Sequence, residues 1–290
     1  MRDISVKALA KINLGLDVVR RREDGYHEVR MVMQTIHLSD QLEIRKTGTG
    51  RIALTTNLPF LPTNENNLVC KAAKLLMEEF RIKDGLFVRL HKRIPVAAGM
   101  AGGSTDAAAV LYALNRLFDL GLSLQELMER GVKIGADVPY CLMRGTALAE
   151  GIGEKLTALP PMVKCPVLIA KPQISVSTKF VYEHLRLDEK TPHPDIDGLL
   201  AAIRDKNLSA IAGSMGNVLE TVTIPNYPVI AQIRDHMLEH GAVNAMMSGS
   251  GPTVFGLFDG EQTAREACGA MRRSGLAKQV CLTGIYNNVR

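Results

Sequence analysis

The chain opens with apolar positions in strand-like order. Val6 to Val19 alternates loosely, and Val29 to Leu38 is rich in β-branched and long apolar residues. Both patterns predict strands, because side chains of a strand repeat on one face every second residue. Leu42 to Ile44 and Ile52 to Thr56 read as shorter strands joined by a turn at Gly48-Thr49-Gly50. The spacing then changes. Leu68, Ala72, Leu75, Leu76 and Phe80 fall near helical spacing and predict a helix from about Asn66 to Phe80. Gly85 breaks the chain, and Leu86 to Leu90 reads as a strand. Asp106 to Phe118 contains high-propensity residues without Gly or Pro and predicts a helix. Ser123 with Glu126 forms a capping box for another helix reaching about Val132. The glycine-containing stretch from Gly145 to Leu159 predicts short strands that fold back.

Pro160-Pro161 is the candidate boundary between an N-terminal domain, 1–160, and a C-terminal domain, 161–290. Beyond it, Val167 to Ala170 reads as a strand, with helices near Ser177 to Leu185, Asp195 to Ala202 and Leu208 to Glu220. The last sixty or so residues predict helix Pro228 to His240, strands Ala242 to Met247 and Thr253 to Phe258, helix Glu261 to Arg273 and strand Gln279 to Leu282. Together these give β-α-β-β-α-β with helices inserted after the first strand, the order of a split βαβ, ferredoxin-like sheet. The fold class is therefore α+β, in two domains.

Composition narrows the function. Hydrophobic residues make up 46% and charged residues 22% of the 290, which is ordinary for a globular chain with a sizeable core. Aromatics are 4% with no Trp, which disfavours base-stacking platforms for single-stranded nucleic acid. The net charge of +5 welcomes anionic ligands without amounting to a nucleic-acid signature. The run Arg20-Arg21-Arg22 is followed at once by Glu23 and Asp24 and reads as a solvated turn. Five widely spaced cysteines without a CxxC pair suggest neither a disulfide framework nor zinc, so reduced buried thiols in a cytoplasmic protein are expected. Neither a signal peptide nor a membrane-length apolar run is evident, and no obligate protein partner.

The candidate chemistry centres on Pro95-Val96-Ala97-Ala98-Gly99-Met100-Ala101-Gly102-Gly103-Ser104-Thr105. It lies between a predicted strand and a predicted helix. Glycines let the backbone bend and let a phosphate approach closely. A following helix adds free N–H groups and about half an elementary charge at its N-terminus. The alternative is a loop that merely caps a helix through Ser104, Thr105 or Asp106. Walker and dinucleotide loops are excluded, since neither GxxxxGK[ST] nor GxGxxG after a strand occurs.

Other constellations lie outside this loop. Lys11 and Asn13 share one strand face, and Asp24-Gly25 makes a turn with Tyr26 and His27 at its exit. Gly135-Ala136-Asp137-Val138-Pro139 reads by itself as a helix-terminating turn with an exposed Asp. Ser248-Gly249-Ser250-Gly251-Pro252-Thr253 suits a hairpin between strands, and Tyr182 suits an aromatic packed on a core.

The loop resembles the second motif of the galactokinase, homoserine kinase, mevalonate kinase and phosphomevalonate kinase superfamily, Pro-x-x-x-Gly-Leu-Gly-Ser-Ser. The run PVAAGMAGGSTDAAA resembles the branch that phosphorylates 4-diphosphocytidyl-2-C-methyl-D-erythritol, with Met100 for Leu, Ala101 for Gly and Thr105 for Ser. The Lys11 to Glu28 stretch is similar to that branch's first motif, Gly135 to Pro139 to its Gly-Ala-Asp-Val-Pro, and Gly249-Ser250-Gly251-Pro252-Thr253 to the third glycine motif. Four motifs in family order cover most of the chain.

The resemblance implies ATP bound by Pro95 to Thr105 and an active site in the cleft between the domains. Asp137 would be general base, oriented by Lys11. Asn13 would touch the substrate, His27 would read the cytosine edge, and Tyr26 and Tyr182 would stack on its ring. Mg²⁺ is expected, with Ser104 or Thr105 and ATP oxygens as candidate ligands. The implied reaction moves the γ-phosphoryl group to the C2 hydroxyl in non-mevalonate isoprenoid precursor synthesis. Two rivals are another kinase of the superfamily and a nucleotide-sensing or RNA-binding module on the same fold.

Overall fold

The computed structural model describes residues 2–288. In chain order its elements are β1 (Asp3–Arg21), β2 (His27–Thr47), β3 (Ile52–Thr56), α1 (Leu68–Glu79), β4 (Gly85–His91), α2 (Gly102–Leu117), α3 (Leu124–Val132), α4 (Val138–Met143), β5 (Thr146–Gly151), β6 (Lys155–Ala158) and β7 (Pro166–Lys171). There follow α5 (Thr178–His184), α6 (Ile196–Arg204), α7 (Leu208–Gly213), β8 (Gly216–Asn217), α8 (Glu220–Asn226), α9 (Val229–Glu239), β9 (Asn244–Met247), β10 (Val254–Leu257), α10 (Glu261–Ser274) and β11 (Gln279–Gly284). None of the described helices is long and apolar enough to cross a membrane.

Two compact units emerge, and neither is a single stretch of chain. One contains the chain up to Ala10, Leu38–Val96 and Ala101–Met143; the other contains Lys11–His37, Ala97–Met100 and the chain from Arg144 onward. Strands β1 and β2 each run through both, and Pro160-Pro161 lies in the second.

In the first unit, Gln41–Thr47 of β2 runs antiparallel to β4, which is parallel to β3. Leu42, Ile44, Leu86, Val88 and Leu90 are buried, while Glu43, Arg45 and Arg89 between them are exposed. That alternation is what a sheet with one covered face demands. Helices α1 and α2 pack on each other and bury Val69, Ala72, Leu76, Val110, Leu111 and Leu114. Asn67 caps α1 by accepting from the Val69 N–H, and Ser123 with Glu126 closes the expected capping box on α3.

The second unit pairs Val29–Gln34 of β2 with β5, which pairs in turn with β6. Its other sheet has the order β11-β7-β10-β9 with every neighbour antiparallel. With α9 before β9 and α10 before β11, this is the split βαβ arrangement predicted from the sequence.

Three local expectations are corrected. Leu42–Ile44 is the tail of the long strand β2 rather than a separate strand. The helix expected over Leu208 to Glu220 stops at Gly213, because Gly216 and Asn217 pair in parallel with Gly15 and Leu16 of β1. The Val218 N–H then donates to the Leu16 carbonyl at 3.0 Å. A distant strand supplies partners that outweigh local helix propensity. Finally, Val138–Met143 is a short helix that the turn reading missed. The five cysteines are reduced thiols, four of them buried. Burial pushes the Cys165 thiol up to about 12.

Candidate active site

The glycine-rich segment takes an unusual backbone path. Ala97, Gly99 and Ala101 all have positive φ, at 49°, 69° and 56°. Left-handed residues at alternate positions make a backbone of the kind that turns successive N–H groups toward one side. Helix α2 begins at Gly102, four residues earlier than expected, with Ala101 at its N-cap and no side-chain cap. Ser104, Thr105 and Asp106 therefore lie inside the helix, and none of them caps it. The Thr105 N–H makes the first helical bond, to the Ala101 carbonyl at 2.9 Å. The N–H groups of Gly102, Gly103 and Ser104 precede it, at the positive end of a sixteen-residue helix.

The two hydroxyls there are not equivalent. Thr105 is buried and donates to the Leu9 carbonyl at 2.7 Å. Ser104 is half-buried, and among the described residues no such bond ties its hydroxyl.

Ala101 is where the chain departs from the family glycine, and the structure shows the consequence. A Cβ at φ 56° is disfavoured by about 1–2 kcal/mol. Glycine loses part of that advantage through its freer unfolded chain. Ala101→Gly is expected to stabilise the fold by up to about 1 kcal/mol, raising Tm by roughly 2–4 °C in thermal denaturation. An unchanged or lower Tm would show that the loop has adapted to the methyl group. Met100, in place of leucine, is 1% exposed and simply fills the core.

The middle of the loop is held by the third glycine motif. Ser248 Oγ donates to the Gly99 carbonyl at 2.9 Å. A Cβ on Gly99 would stand 1.9 Å from the Ser248 carbonyl oxygen, and one on Gly249 would stand 3.1 Å from the Gly99 oxygen. The turn closes on itself through Gly251 N–H to the Ser248 carbonyl at 3.0 Å. Ser250 Oγ lies 2.8 Å from Thr178 Oγ1, and its carbonyl accepts from Thr223 Oγ1.

Asn217 was not singled out by the sequence. Its buried Nδ2 donates to the carbonyls of Met247 and Gly249, at 2.9 and 2.8 Å, and fixes the turn. Glu220 assists by accepting from the Met247 N–H at 2.8 Å. The sequence hid both residues because Leu208 to Glu220 reads as a continuous helix.

Lys11 and Asn13 point the same way from β1, as the strand period requires. Lys11 Nζ donates to Asn13 Oδ1 at 2.7 Å, with exposures of 5% and 0%. The Lys11 N–H meets the Met100 carbonyl at 3.3 Å, so the lysine adjoins the loop.

Asp137 is half-buried and immediately precedes α4. Its carbonyl accepts from the Cys141 N–H, and the Val138 N–H donates to Gly135. A Cβ on Gly135 would lie 4.0 Å from Ser104 Oγ, which puts the Gly-Ala-Asp turn beside the first turn of α2.

His27 and Tyr182 meet with ring centroids 5.1 Å apart and planes tilted by 41°. Burial, with the Arg21 charge second, pulls the His27 imidazole below its usual value. It is therefore neutral at neutral pH, with one nitrogen to donate and one to accept. Tyr26 is 61% exposed, an available apolar face beside this pair in sequence.

Thus Lys11, Asn13, His27, Tyr182 and Gly249–Gly251 belong with Ala97–Met100 in one unit. Pro95, Val96, Ala101–Thr105 and Asp137 belong to the other. A buried ion cluster, which no sequence motif marks, lies in that second group. Lys92 Nζ donates to Asp106 Oδ2 at 2.7 Å and to Asp40 Oδ2.

Comparison with known proteins gives the class first. Residues 67–145 match the GHMP kinases N terminal domain, and residues 198–277 match the GHMP kinases C terminal domain. A 4-diphosphocytidyl-2-C-methyl-D-erythritol kinase of Lachnospira eligens is 58% identical, over 99% of both chains. One from Lachnoclostridium phytofermentans is 56% identical over 98% of both. A crystal structure of 4-(cytidine 5'-diphospho)-2C-methyl-D-erythritol kinase superposes with a TM-score of 0.84 at 33% identity, covering 98% of this chain and 100% of that one. The chain belongs to the 4-diphosphocytidyl-2-C-methyl-D-erythritol kinase family.

Proposed function

We infer that this chain is an ATP-dependent kinase that phosphorylates the C2 hydroxyl of 4-diphosphocytidyl-2-C-methyl-D-erythritol, a step of non-mevalonate isoprenoid precursor synthesis. The observation that carries the phosphate-site reading is the uncapped N-terminus of α2, entered through three left-handed residues. ATP phosphates would take the N–H groups of Gly102, Gly103 and Ser104, with Pro95 to Ala101 forming the approach. The domain assignment, 1–160 for the nucleotide and 161–290 for the substrate side, belongs to the same proposal.

Asp137 would accept the proton of the C2 hydroxyl as it attacks the γ-phosphorus. Lys11 would orient that carboxylate and offset the charge developing on the transferred group. Its ammonium is held by Asn13, which limits the reordering that substrate would demand. The neutral His27 would donate to and accept from the cytosine edge, with Tyr26 and Tyr182 as its stacking faces.

Mg²⁺ would neutralise phosphate charge in such a transfer. The residues fit an ion held mainly by ATP oxygens and water, with the Ser104 hydroxyl as protein ligand. Thr105 does not fit that role while its hydroxyl serves Leu9.

The test offers the purified chain ATP and Mg²⁺ with the cytidylyl substrate, homoserine or mevalonate in parallel. Phosphate incorporation is expected with the cytidylyl compound alone. Phosphorylation of homoserine or mevalonate in its place would overturn the substrate assignment.

A further inference from the structure

Strand β4 leads into the glycine loop and helix α2 leads out of it. The residues flanking the loop are joined by one buried charge cluster. Lys92 follows β4 and is 7% exposed. Asn57 brackets its backbone, accepting from the Lys92 N–H at 2.7 Å and donating to its carbonyl at 3.1 Å. The Lys92 ammonium reaches Asp106, in the second turn of α2, and Asp40, near the middle of β2. Asp40 is fully buried, and its Oδ1 accepts from the N–H groups of Arg93 and Ile94 at 2.5 and 2.8 Å. A Cβ on Gly102 would stand 3.3 Å from Lys92 Nζ, so the ammonium lies directly beneath the first turn of the helix.

The cluster is a poor device for stability. An ammonium and two carboxyl groups are removed from water, and well-packed apolar residues in their place are often as stable or more so. Asp106 Oδ1 is buried without a hydrogen-bond partner among the described residues. What the cluster does supply is a fixed relation between two pieces of backbone. Asp40 holds 93–94, Lys92 holds Asp106, and Asp106 fixes the roll of α2 and hence the aim of its first N–H groups.

We propose that Asp40, Lys92 and Asp106 form a positioning cluster that sets both ends of the glycine loop for ATP. The proposal rests on the reading of Pro95 to Thr105 as the phosphate site. A misplacement of about 1 Å in such a site can cost about a hundredfold in rate, so a fixed frame has functional value. The cluster acts through the backbone at the two ends of the loop, so its effect falls on the nucleotide.

Steady-state kinetics of the full chain with both substrates test this. Asp106→Leu is expected to raise KM for ATP about tenfold, with KM for the cytidylyl substrate unchanged. Asp106→Asn keeps an acceptor for Lys92 and should bring KM for ATP back to near the wild-type value. If Asp106→Leu does not accumulate as folded protein, Lys92→Gln, which removes the charge and is one atom shorter, carries the same expectation. Gly103→Val is the control for the site itself, since Gly103 is exposed on the first turn and its Cβ meets only Leu68, at 3.4 Å. A raised KM for ATP in Gly103→Val beside an unchanged one in folded Asp106→Leu or Lys92→Gln overturns the positioning role. An unchanged KM for ATP in Gly103→Val overturns the phosphate-site reading, and the positioning role with it.

Discussion

Replacing Asp137 by asparagine is expected to lower kcat by about a hundredfold or more, the usual worth of a general base. The substitution keeps the shape and an acceptor oxygen but cannot take up the hydroxyl proton. The fold should hardly respond. The turn at Asp137 is built from backbone bonds, Val138 N–H to Gly135 and Cys141 N–H to the Asp137 carbonyl, and neither involves the side chain. Asp137 is only half-buried, so the change in stability should stay within about 0.5–1 kcal/mol. KM for ATP should move little, because a base at this position would act on the acceptor. Single-turnover transfer from labelled ATP, with Tm measured alongside, separates these effects. Near-wild-type turnover in a folded Asp137→Asn would remove this carboxylate from the mechanism.

Gly99→Ala should be the most damaging single-methyl change in the loop. Two costs combine there. A side chain at φ 69° is disfavoured by about 1–2 kcal/mol. The added carbon would also stand 1.9 Å from the Ser248 carbonyl oxygen, a backbone atom that Gly251 N–H holds in place. Relieving that overlap should cost a further 1–3 kcal/mol or so, as overpacking does. The expected result is a Tm lower by roughly 5–10 °C and a KM for ATP raised at least about tenfold. Calorimetry and steady-state kinetics on the same preparation check both. Normal Tm and normal KM would mean that loop and turn separate easily, and the lock between Gly99 and Ser248 would lose its significance.

The contrast between Gly99 and Ala101 shows how far a sequence can be read here. Both positions are left-handed, yet the chain carries alanine at one of them. Local backbone preference alone would treat the two alike. At Ala101 nothing in the strand-loop-helix sequence forbids a methyl group, and its burden is conformational. At Gly99 the burden is a carbonyl contributed from about 150 residues away, by a turn that the sequence marks only as glycine-rich.

The same division runs through the site. Lys11 and Asn13 could be placed on one face because the strand period is local. The Ser123–Glu126 capping box could be placed because its partners are three residues apart. Asn217 and Glu220 were hidden, because the strand that ends α7 lies two hundred residues earlier in the chain. Helix α2 starts four residues before its propensity signal does, because glycines have weak helix propensity, and the bonds that extend the helix back to Gly102 depend on how the loop is held.

By itself, then, the sequence determined the elements whose signals are periodic or close at hand: the long strands, most helices, the β-α-β-β-α-β order and the glycine loop between strand and helix. Its motif order also carried the resemblance to the kinase family. Only the tertiary structure decided which hydroxyl of the Ser104-Thr105 pair is available, which carbonyl forbids a side chain at Gly99, and that Lys92 joins Asp40 to Asp106. The physical reason is common to all three. Each outcome is set by hydrogen-bond or steric partners from distant segments, and no local pattern of apolar and polar residues records where those partners will be.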